Sequence, residues 1–359
     1  MANPVFRGID LFSGPGGLTL GLSHSGILPI AGVEWNKDAV ETYKTHTPDS
    51  EHYCGDIRTV NFSRYRGAAD IVFGGPPCQP FSTGGLRKGN GDERNMIPPF
   101  LAAIETIQPR VVVMENVPGM LVKDRRHYFD SVITHLADLG YRPAWRLLNS
   151  ADYGVPQKRR RIFIVAFRDM LFRFPRPTHG PETNRPHIAS GTVVTHKPVG
   201  EPARSAVSYA PEVDLRPNPY AGHVYKGGGR PIDLSGPCHT VYASAGGNKT
   251  HWVDTLNVAP EYHRHLMAGG KTREGVVPGA RRLSVEESAL IQTFPPGLRF
   301  HGSRSSQFTQ VGDAVPPLLA EHLGRGIVAH LTGEPLNDAD YYPPVVVCDP
   351  ALWYSRVDG

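Results

Sequence analysis

The feature that most constrains the fold is the alternation of two kinds of segment through the first 168 residues. Short runs rich in β-branched residues predict buried strands at residues 6–12, 29–35, 70–74 and 110–115. Amphipathic stretches between them predict helices near residues 18–24, 37–46, 97–107 and 125–139. Such alternation is typical of an α/β fold with a mostly parallel sheet and helices on both faces.

Two further runs, at residues 141–148 and 161–167, are separated only by the loop 149–160. That loop is too short for a crossover helix, so the two strands should pair antiparallel at one edge of the sheet. The α/β pattern therefore predicts a parallel sheet with an antiparallel edge.

Hydrophobic periodicity fails beyond residue 170. Proline, glycine, histidine and threonine dominate as far as residue 280, with short strands predicted only at 192–195 and 251–256. Helices are predicted again at 284–294 and 317–331, the first with a capping box formed by Ser284 and Glu287. The chain is thus divided into a main α/β domain at 1–169, an irregular domain at 170–280, helices returning to the first domain at 281–335, and a surface-packed tail at 336–359.

Composition limits the class of protein. A chain of 359 residues is long enough for about two domains. No apolar run approaches the ~18 residues that a membrane helix needs, and the first residues contain no apolar signal segment, so a cytoplasmic protein is expected. The four cysteines have no C-x-x-C spacing, which argues against a zinc site or a disulfide scaffold. The net charge of +4 falls within residues 170–280, together with half of the 16 histidines.

The first candidate motif is the glycine-rich segment Asp10–Gly17, which lies between a predicted strand and a predicted helix. Glycines there let the backbone approach a ligand, and the helix N-terminus offers free N–H groups. Glu34 ends the next strand, where a carboxylate meets ribose hydroxyls in nucleotide-binding folds, and Asp56 could accept from an adenine amino group. The spacing is not G-x-G-x-x-G, which argues against a nicotinamide enzyme. The alternative is a tight turn without a ligand.

Three further motifs carry reactive or charged groups. Cys78 lies in Gly-Gly-Pro-Pro-Cys-Gln-Pro, where three prolines hold it rigidly at a strand end. This setting indicates a nucleophile, and the alternative is a small buried structural residue. Glu115 ends a neighbouring strand. It is interpreted either as a proton donor with a raised pKa or as an acid with a structural role only. Residues 158–161 are four consecutive cations, which form either a phosphate contact or a solvated face.

The ordered motifs resemble the DNA (cytosine-5)-methyltransferases of bacterial type II restriction-modification systems. The resemblance covers about residues 5–168 and 281–331, and its motifs are DLFSGPGG, VEWN, GDI, GGPPCQPFS, ENV, QKRRRIF, RRLSVEESALIQTFP and QVGDAVPP. It implies a Rossmann-like S-adenosylmethionine-dependent methyltransferase sheet and places a loop-rich target-recognition domain in the middle segment. Two places depart from the family pattern: Asp313 stands where the family usually has asparagine, and Glu286 and Ser288 stand where it more commonly has arginine and cysteine.

The resemblance also implies residue roles. Cys78 would attack carbon 6 of cytosine, and Glu115 would bind ring nitrogen 3 and the exocyclic amino group. Arg159 and Arg161 would lie beside a base flipped out of the duplex. The implied S-adenosylmethionine contacts are Phe12, Gly14, Gly16, Gly17, Glu34, Trp35, Asp56, Ile57, Pro76, Ile97, Asp313 and Ala314. The implied DNA contacts are Gln79, Ser82, Arg159, Thr240 and Val241.

The implied partner is double-stranded DNA, methylated at carbon 5 of cytosine in a short specific site. A cognate restriction endonuclease would act on the same site without direct contact. The resemblance implies a monomer at the bacterial nucleoid, without a metal or a membrane partner. Two alternatives stay open. Cys238-His-Thr240 is near the Cys-Phe-Thr of tRNA cytosine methyltransferases. A non-catalytic DNA-binding regulator is the other, although Cys78, Glu115 and Arg161 argue against it.

Overall fold

The computed structural model describes residues 5–77 and 95–344. Its main sheet has seven strands in the order β3-β2-β1-β4-β5-β7-β6. In chain order they are β1 (Phe6–Leu11), β2 (Ile27–Glu34), β3 (Glu51–Cys54), β4 (Ile71–Gly74), β5 (Val111–Asn116), β6 (Arg142–Asn149) and β7 (Arg160–Phe167). The predicted mostly parallel α/β sheet is therefore confirmed.

Four helices connect these strands: α1 (Gly17–His24), α2 (Lys37–Lys44), α3 (Ile97–Ile107) and α4 (Arg126–Asp138). Both faces of the sheet are covered, as β5 illustrates. Val112 and Met114 pack into one hydrophobic cluster, whereas Val111 and Val113 pack into another. This alternation is the period of two that a strand imposes on its side chains.

The predicted antiparallel pair is confirmed as β6 and β7. β7 lies between β5 and β6 and runs antiparallel to both, so the antiparallel strand is second from the edge rather than at it. The reason is the connection. α4 carries β6 over to run parallel with β5, and the short loop then returns β7 into the gap between them.

The second half of the chain forms short strands and four helices among the described residues. These are β8 (Tyr209–Asp214), β9 (His223–Tyr225), β10 (Trp252–Asp254), β11 (Ala280–Arg282), α5 (Val258–Met267), α6 (Val285–Ile291), α7 (Arg304–Asp313) and α8 (Pro317–Thr332). The middle segment has a small core of its own, in which Tyr209, Tyr225, Trp252 and Tyr262 pack together.

The local predictions in this half had mixed outcomes. The capping box of Ser284 and Glu287 is confirmed, and α8 matches its predicted range closely. The strand predicted at 251–256 is confirmed over Trp252–Asp254. The strand predicted at 192–195 is wrong, because Ser190–Thr192 forms a 3₁₀ turn and Val194 is buried in a hydrophobic cluster. None of the helices in the described part of the chain is both long and apolar enough to cross a membrane.

Candidate active site

The residues predicted to form the site converge at the carboxyl ends of four neighbouring strands. From β1 the chain runs outward to β2 and β3 and then crosses back to β4 on the other side of β1. Such a reversal opens a crevice where α/β proteins bind ligands. Phe12 and Glu34 lie at the ends of β1 and β2, and Pro76 and Glu115 lie at the ends of β4 and β5.

The glycine-rich loop is held against the end of β2 by the Glu34 carboxylate. Its Oε2 accepts a hydrogen bond from the Gly14 amide at 3.0 Å, and its Oε1 accepts one from the Asn36 amide at 2.8 Å. Burial raises the pKa of Glu34, these amides oppose the shift, and nearby Asp313 raises it further. Phe12 enters the loop with φ of 63°, a conformation that non-glycine residues rarely adopt. The loop therefore has one specific, braced shape.

The three glycines of this loop differ in how much space a side chain would have. A Cβ on Gly17 would lie 2.2 Å from the Val315 carbonyl oxygen, and a Cβ on Gly16 would lie 2.3 Å from the His46 ring. A Cβ on Gly14 would meet nothing within 4 Å. Gly16 and Gly17 thus serve packing within the protein, whereas Gly14 borders open space in which a ligand fits.

Replacing Gly17 with alanine is therefore expected to lower the free energy of unfolding by about 1–3 kcal/mol, because the new Cβ collides with backbone. Gly14→Ala is expected to cost about 1 kcal/mol for its left-handed conformation and, in addition, to weaken cofactor binding. Denaturant unfolding and calorimetric cofactor titration of both variants separate the two effects. Unchanged stability of Gly17→Ala would contradict the close approach to Val315.

Below the loop, Asp10 forms a buried polar network. The Thr19 hydroxyl donates to Asp10 Oδ2 at 2.6 Å and lies 3.1 Å from the Tyr43 hydroxyl. Burial raises the pKa of Asp10 to about 8, against the opposing hydrogen bond from Thr19. The carboxyl is therefore protonated in the folded protein at neutral pH, which spares the crevice floor a buried negative charge.

This network predicts a pH-dependent stability. In the unfolded chain Asp10 loses its proton near pH 4, whereas the folded protein keeps it up to about pH 8. Between these values the folded state binds more protons, so the contribution of Asp10 is lost as pH rises. Asp10→Asn should therefore be more stable than wild type by a few kcal/mol at pH 8 and by much less at pH 5. Urea unfolding at both pH values measures this, with exposed Asp49→Asn as control, and an equal difference at both would contradict it.

The other residues predicted to hold a cofactor differ in their surroundings. Trp35 is 81% exposed, which leaves its indole free to stack on a planar ligand. The Asp56 carboxylate accepts hydrogen bonds from the Arg58 guanidinium, which compete with an adenine amino group. Ile57 and Ile97 are buried in a core cluster on one face of the sheet. Adenine contacts by Asp56, Ile57 and Ile97 therefore stay predictions.

Glu115 is buried at the end of β5 and forms an ion pair with Arg161, whose Nε lies 2.8 Å from Glu115 Oε1. At this distance the Arg161 guanidinium holds the Glu115 carboxyl group in place. Burial raises the pKa of the Glu115 carboxyl, and the charges of Arg161 and Arg159 oppose that shift. The site thus holds a buried carboxyl group whose pKa burial raises, next to the positive charges of two arginines.

The backbone leading to Cys78 is anchored at two points. Asn116 Nδ2 donates to the Pro76 carbonyl at 3.1 Å, and the Met96 amide donates to the Pro77 carbonyl at 3.0 Å. A Cβ on Gly75 would lie 3.0 Å from Glu115 Oε2, so this segment passes close to the carboxyl group. Cys78, Gln79 and Ser82 themselves lie outside the described residues.

A short segment of the middle region is docked beside this carboxyl group. The Lys158 amide donates to the Cys238 carbonyl at 2.8 Å, and the Thr240 hydroxyl donates to the Lys158 carbonyl at 2.7 Å. The Val241 amide donates to Gln157 Oε1 at 2.9 Å. These contacts bring residues of the middle region to the active edge of the sheet.

An open cavity of about 390 Å³ lies where the two regions meet. Its lining residues are Pro118, Asn149, Lys158, Arg160, Arg161 and Thr240. Three of the six are cations, and one of those, Arg161, pairs with Glu115. The cavity therefore suits an anionic ligand, and one of its cations is held by a buried carboxyl group.

Comparison with known proteins identifies the family. A model of the C-5 cytosine-specific DNA methylases matches residues 6–329. The chain is 34% identical to the type II methyltransferase M.AplI of Arthrospira platensis, over 94% of this chain and 89% of that protein. The chain belongs to the C-5 cytosine-specific DNA methylase family. It is therefore a DNA cytosine-5 methyltransferase.

Other relatives of this methylase agree. The type II methyltransferase M.NgoMIV of Neisseria gonorrhoeae is 30% identical over 92% of this chain and 99% of that protein. Among solved structures, the S. pombe Dnmt2 methyltransferase matches with a TM-score of 0.65 at 15% identity, covering 91% of this chain and 99% of that one. At that identity the structural likeness concerns the fold alone.

Within the methylase, Arg159 and Val241 are both buried, and their predicted DNA contacts stay predictions. Arg159 is fully buried, and its guanidinium donates to the carbonyls of Val241 at 3.4 Å and Asp313 at 3.2 Å. Val241 is buried in a hydrophobic cluster. Arg159 therefore joins the middle segment to the end of α7 through its two terminal nitrogens.

Asp313 and Ala314 lie at the junction of α7 and α8. Asp313 ends α7. Its carboxylate adds to the effect of burial and raises the pKa of Glu34. It also raises the pKa of Glu115, which the charges of Arg159 and Arg161 lower. A cofactor contact by Asp313 or Ala314 stays a prediction. The extra negative charge in place of the usual asparagine thus acts on both carboxyl groups of the crevice.

Three polar residues of the site were missed by sequence reasoning. Gln157 Nε2 donates to Gln292 Oε1 at 2.8 Å, and Gln292 Nε2 donates to the Val311 carbonyl at 2.7 Å. His251 contacts the Thr240 carbonyl. Gln157 and Gln292 stand inside quoted motifs, which was a usable signal, whereas nothing in the sequence distinguishes His251 from the other histidines of its segment.

Proposed function

We propose that this methylase transfers a methyl group to carbon 5 of a cytosine flipped out of a short duplex DNA site, through a covalent bond to Cys78. The observation that carries the proposal is the buried Glu115–Arg161 pair, because Arg161 also lines the cationic cavity and Glu115 lies close to the backbone that leads to Cys78. To bind a flipped cytosine, the enzyme needs a carboxyl group that hydrogen-bonds the base and cations that contact the phosphates of the DNA backbone.

The chain's own residues suit S-adenosylmethionine, which supplies the electrophilic methyl group when bound. Gly14 leaves open space, Trp35 offers an exposed aromatic face, and Glu34 lies at the position typical of a ribose contact. Phe12, Pro76 and Asp313 border the same strand ends. Among the described residues there is no group of three or more side chains suited to holding a metal ion.

The covalent step balances as follows. The Cys78 thiolate forms an S–C6 bond, and the electron pair of the C5–C6 double bond moves toward C5 and N3, where the Glu115 proton stabilises it. Carbon 5 then bonds to the methyl carbon, whose bond to the S-adenosylmethionine sulfur would break with its electron pair left on that sulfur, giving S-adenosylhomocysteine. A base removes the C5 proton, the C5–C6 double bond reforms, the S–C6 electrons return to the Cys78 thiolate, and the N3 proton returns to Glu115.

The DNA backbone at the target would be held at the rim of the cavity. Lys158 and Arg160 are exposed there and can each contact a phosphate. The Thr240 hydroxyl already donates to the Lys158 carbonyl. Because the Thr240 amide has no acceptor among the described residues, the phosphate contact of Thr240 would come from this amide.

The experiment is incubation with radiolabelled S-adenosylmethionine and either mixed-sequence duplex DNA or total tRNA, followed by bisulfite mapping. Label at one short cytosine-containing motif of duplex DNA is the expected result. Label in tRNA alone would show that tRNA, and not DNA, is the substrate. Label in neither nucleic acid would favour the non-catalytic DNA-binding protein.

We also propose that the enzyme is a monomer that protects the DNA of its bacterial host, at the nucleoid, from an endonuclease reading the same site. The relatives' description as type II methyltransferases supports this role. Protection requires methylation of essentially every copy of the site. Sequencing of bisulfite-treated genomic DNA from cells expressing the protein tests it, and partial methylation across the genome would contradict it.

A further inference from the structure

His251 lies directly before β10 and is almost fully buried. Its Nδ1 is 3.1 Å from the Arg230 amide nitrogen, and its Nε2 is 2.9 Å from the Thr240 carbonyl oxygen. An amide N–H only donates and a carbonyl only accepts. Nδ1 therefore accepts from Arg230, and Nε2–H donates to Thr240. Burial lowers the pKa of His251 to about 4, so the ring is neutral and both bonds persist at neutral pH.

The Thr240 end of this bridge belongs to the active cavity. Thr240 lines the cavity and is tied on its catalytic side through its hydroxyl to the Lys158 carbonyl. The His251 contact reaches the same residue from the middle region. Thr240 is thus held between the two regions.

The Arg230 end belongs to a pair of loops. The Gly229 amide donates to the Asn248 carbonyl at 2.9 Å, and a Cβ on Gly229 would lie 2.1 Å from the Thr250 carbonyl oxygen. The two loops are therefore packed backbone to backbone. They carry the exposed side chains of Lys226, Asn248 and Lys249. Polar and basic groups on such closely packed loops are suited to DNA.

We propose that His251 is a positioning residue for methyl transfer, which ties the loop pair 226–230 and 248–250 to Thr240 at the rim of the cationic cavity. DNA held by the loops is thereby placed in register with the target cytosine. The inference rests on the proposed function, in which the cavity receives that cytosine and its phosphate.

Two substitutions separate the two ends of the bridge. In His251→Gln the amide nitrogen reaches the Nε2 position and keeps the bond to Thr240, while the bond from Arg230 is lost. In His251→Asn the amide oxygen reaches the Nδ1 position and keeps the bond from Arg230, while the bond to Thr240 is lost. Each variant loses one buried hydrogen bond, so similar losses of Tm are expected.

The activities should differ even though the stabilities do not. His251→Asn is expected to lower both duplex-DNA affinity and kcat/KM for DNA about tenfold or more, with S-adenosylmethionine affinity unchanged. His251→Gln should stay within about threefold of wild type in these quantities, because residue 251 directly follows the loop 248–250 and keeps its bond to the Thr240 carbonyl. The matched control is His263→Asn in α5, a buried histidine whose Nε2 lies 2.6 Å from the Arg216 carbonyl oxygen, away from Thr240. It should lower Tm and leave kcat/KM in place.

Equal losses in the Gln and Asn variants, or losses that simply follow Tm across all three variants, would overturn the positioning role. A wild-type protein that binds duplex DNA without methylating it would overturn the proposed function alone. In that case the difference in DNA affinity between the Gln and Asn variants still decides the role of His251.

Discussion

Replacing Cys78 with serine is expected to reduce methyl transfer about 10³-fold or more, as removal of a catalytic nucleophile does. A serine hydroxyl ionises far less readily than a thiol, so little of the attacking species would exist near pH 7. Binding of S-adenosylmethionine should persist, because the Gly14 and Glu34 contacts at the ends of β1 and β2 are untouched. Tritium transfer to duplex DNA and calorimetric cofactor titration measure the two quantities.

Covalent trapping makes the test specific to the bond. On duplex DNA containing 5-fluorocytosine at the target, carbon 5 carries fluorine, which no base can remove as a proton. Wild-type protein should therefore remain attached to the DNA in a denaturing gel, and Cys78→Ser should not. Full activity of the serine variant, or an adduct that survives the substitution, would end the covalent mechanism.

Replacing Glu115 with glutamine is expected to lower kcat by about 10²–10⁴-fold, the range typical of a lost general acid. Glutamine keeps the size of the side chain and can donate an N–H, but it cannot transfer a proton to N3. The pH profile adds a second signature. Wild-type kcat should fall as pH rises through the pKa of Glu115, which burial raises, and the glutamine variant should lack that decline.

A stability control is needed for this variant, because it leaves the partly buried Arg161 without its ion-pair partner. Tm should be measured for Glu115→Gln and for Asn116→Ala, which removes a neighbouring hydrogen bond to Pro76 without adding a charge beside Glu115. A variant with near-wild-type kcat and an unchanged pH profile would remove Glu115 from the reaction.

Much of the fold was predictable because its signals are local. The bounds of α3 and the capping box of α6 follow from residues within one or two turns of each other. α5 and α7 were missed because they are largely polar and lie in or beside the segment without clear periodicity, where contacts with distant residues stabilise them. Val194 was assigned to a strand because its neighbours are β-branched. In the structure it packs in a hydrophobic cluster and pairs with no strand among the described residues.

The run from Gln157 to Arg161 illustrates the limit for the site. Gln157 and Arg159 are buried, whereas Lys158 and Arg160 are exposed, as an extended backbone requires of successive side chains. In a strand of mixed apolar and polar residues this alternation is legible. In a polar run no apolar residue marks the inner face, so the sequence alone did not show that Arg159 is the buried arginine of this run.

By itself the sequence determined the parallel α/β sheet, the loops at its carboxyl edge and the membership of a methylase family. Periodicity and motif order are properties of neighbouring residues, and they are enough for these conclusions. Only the tertiary structure decided which cations face the cavity and that Gln157, Thr240 and His251 meet. An apolar pattern indicates which side chains are buried. It does not indicate which residue contacts them, because that residue can lie some 80 positions away and is brought near only by the packing of the chain.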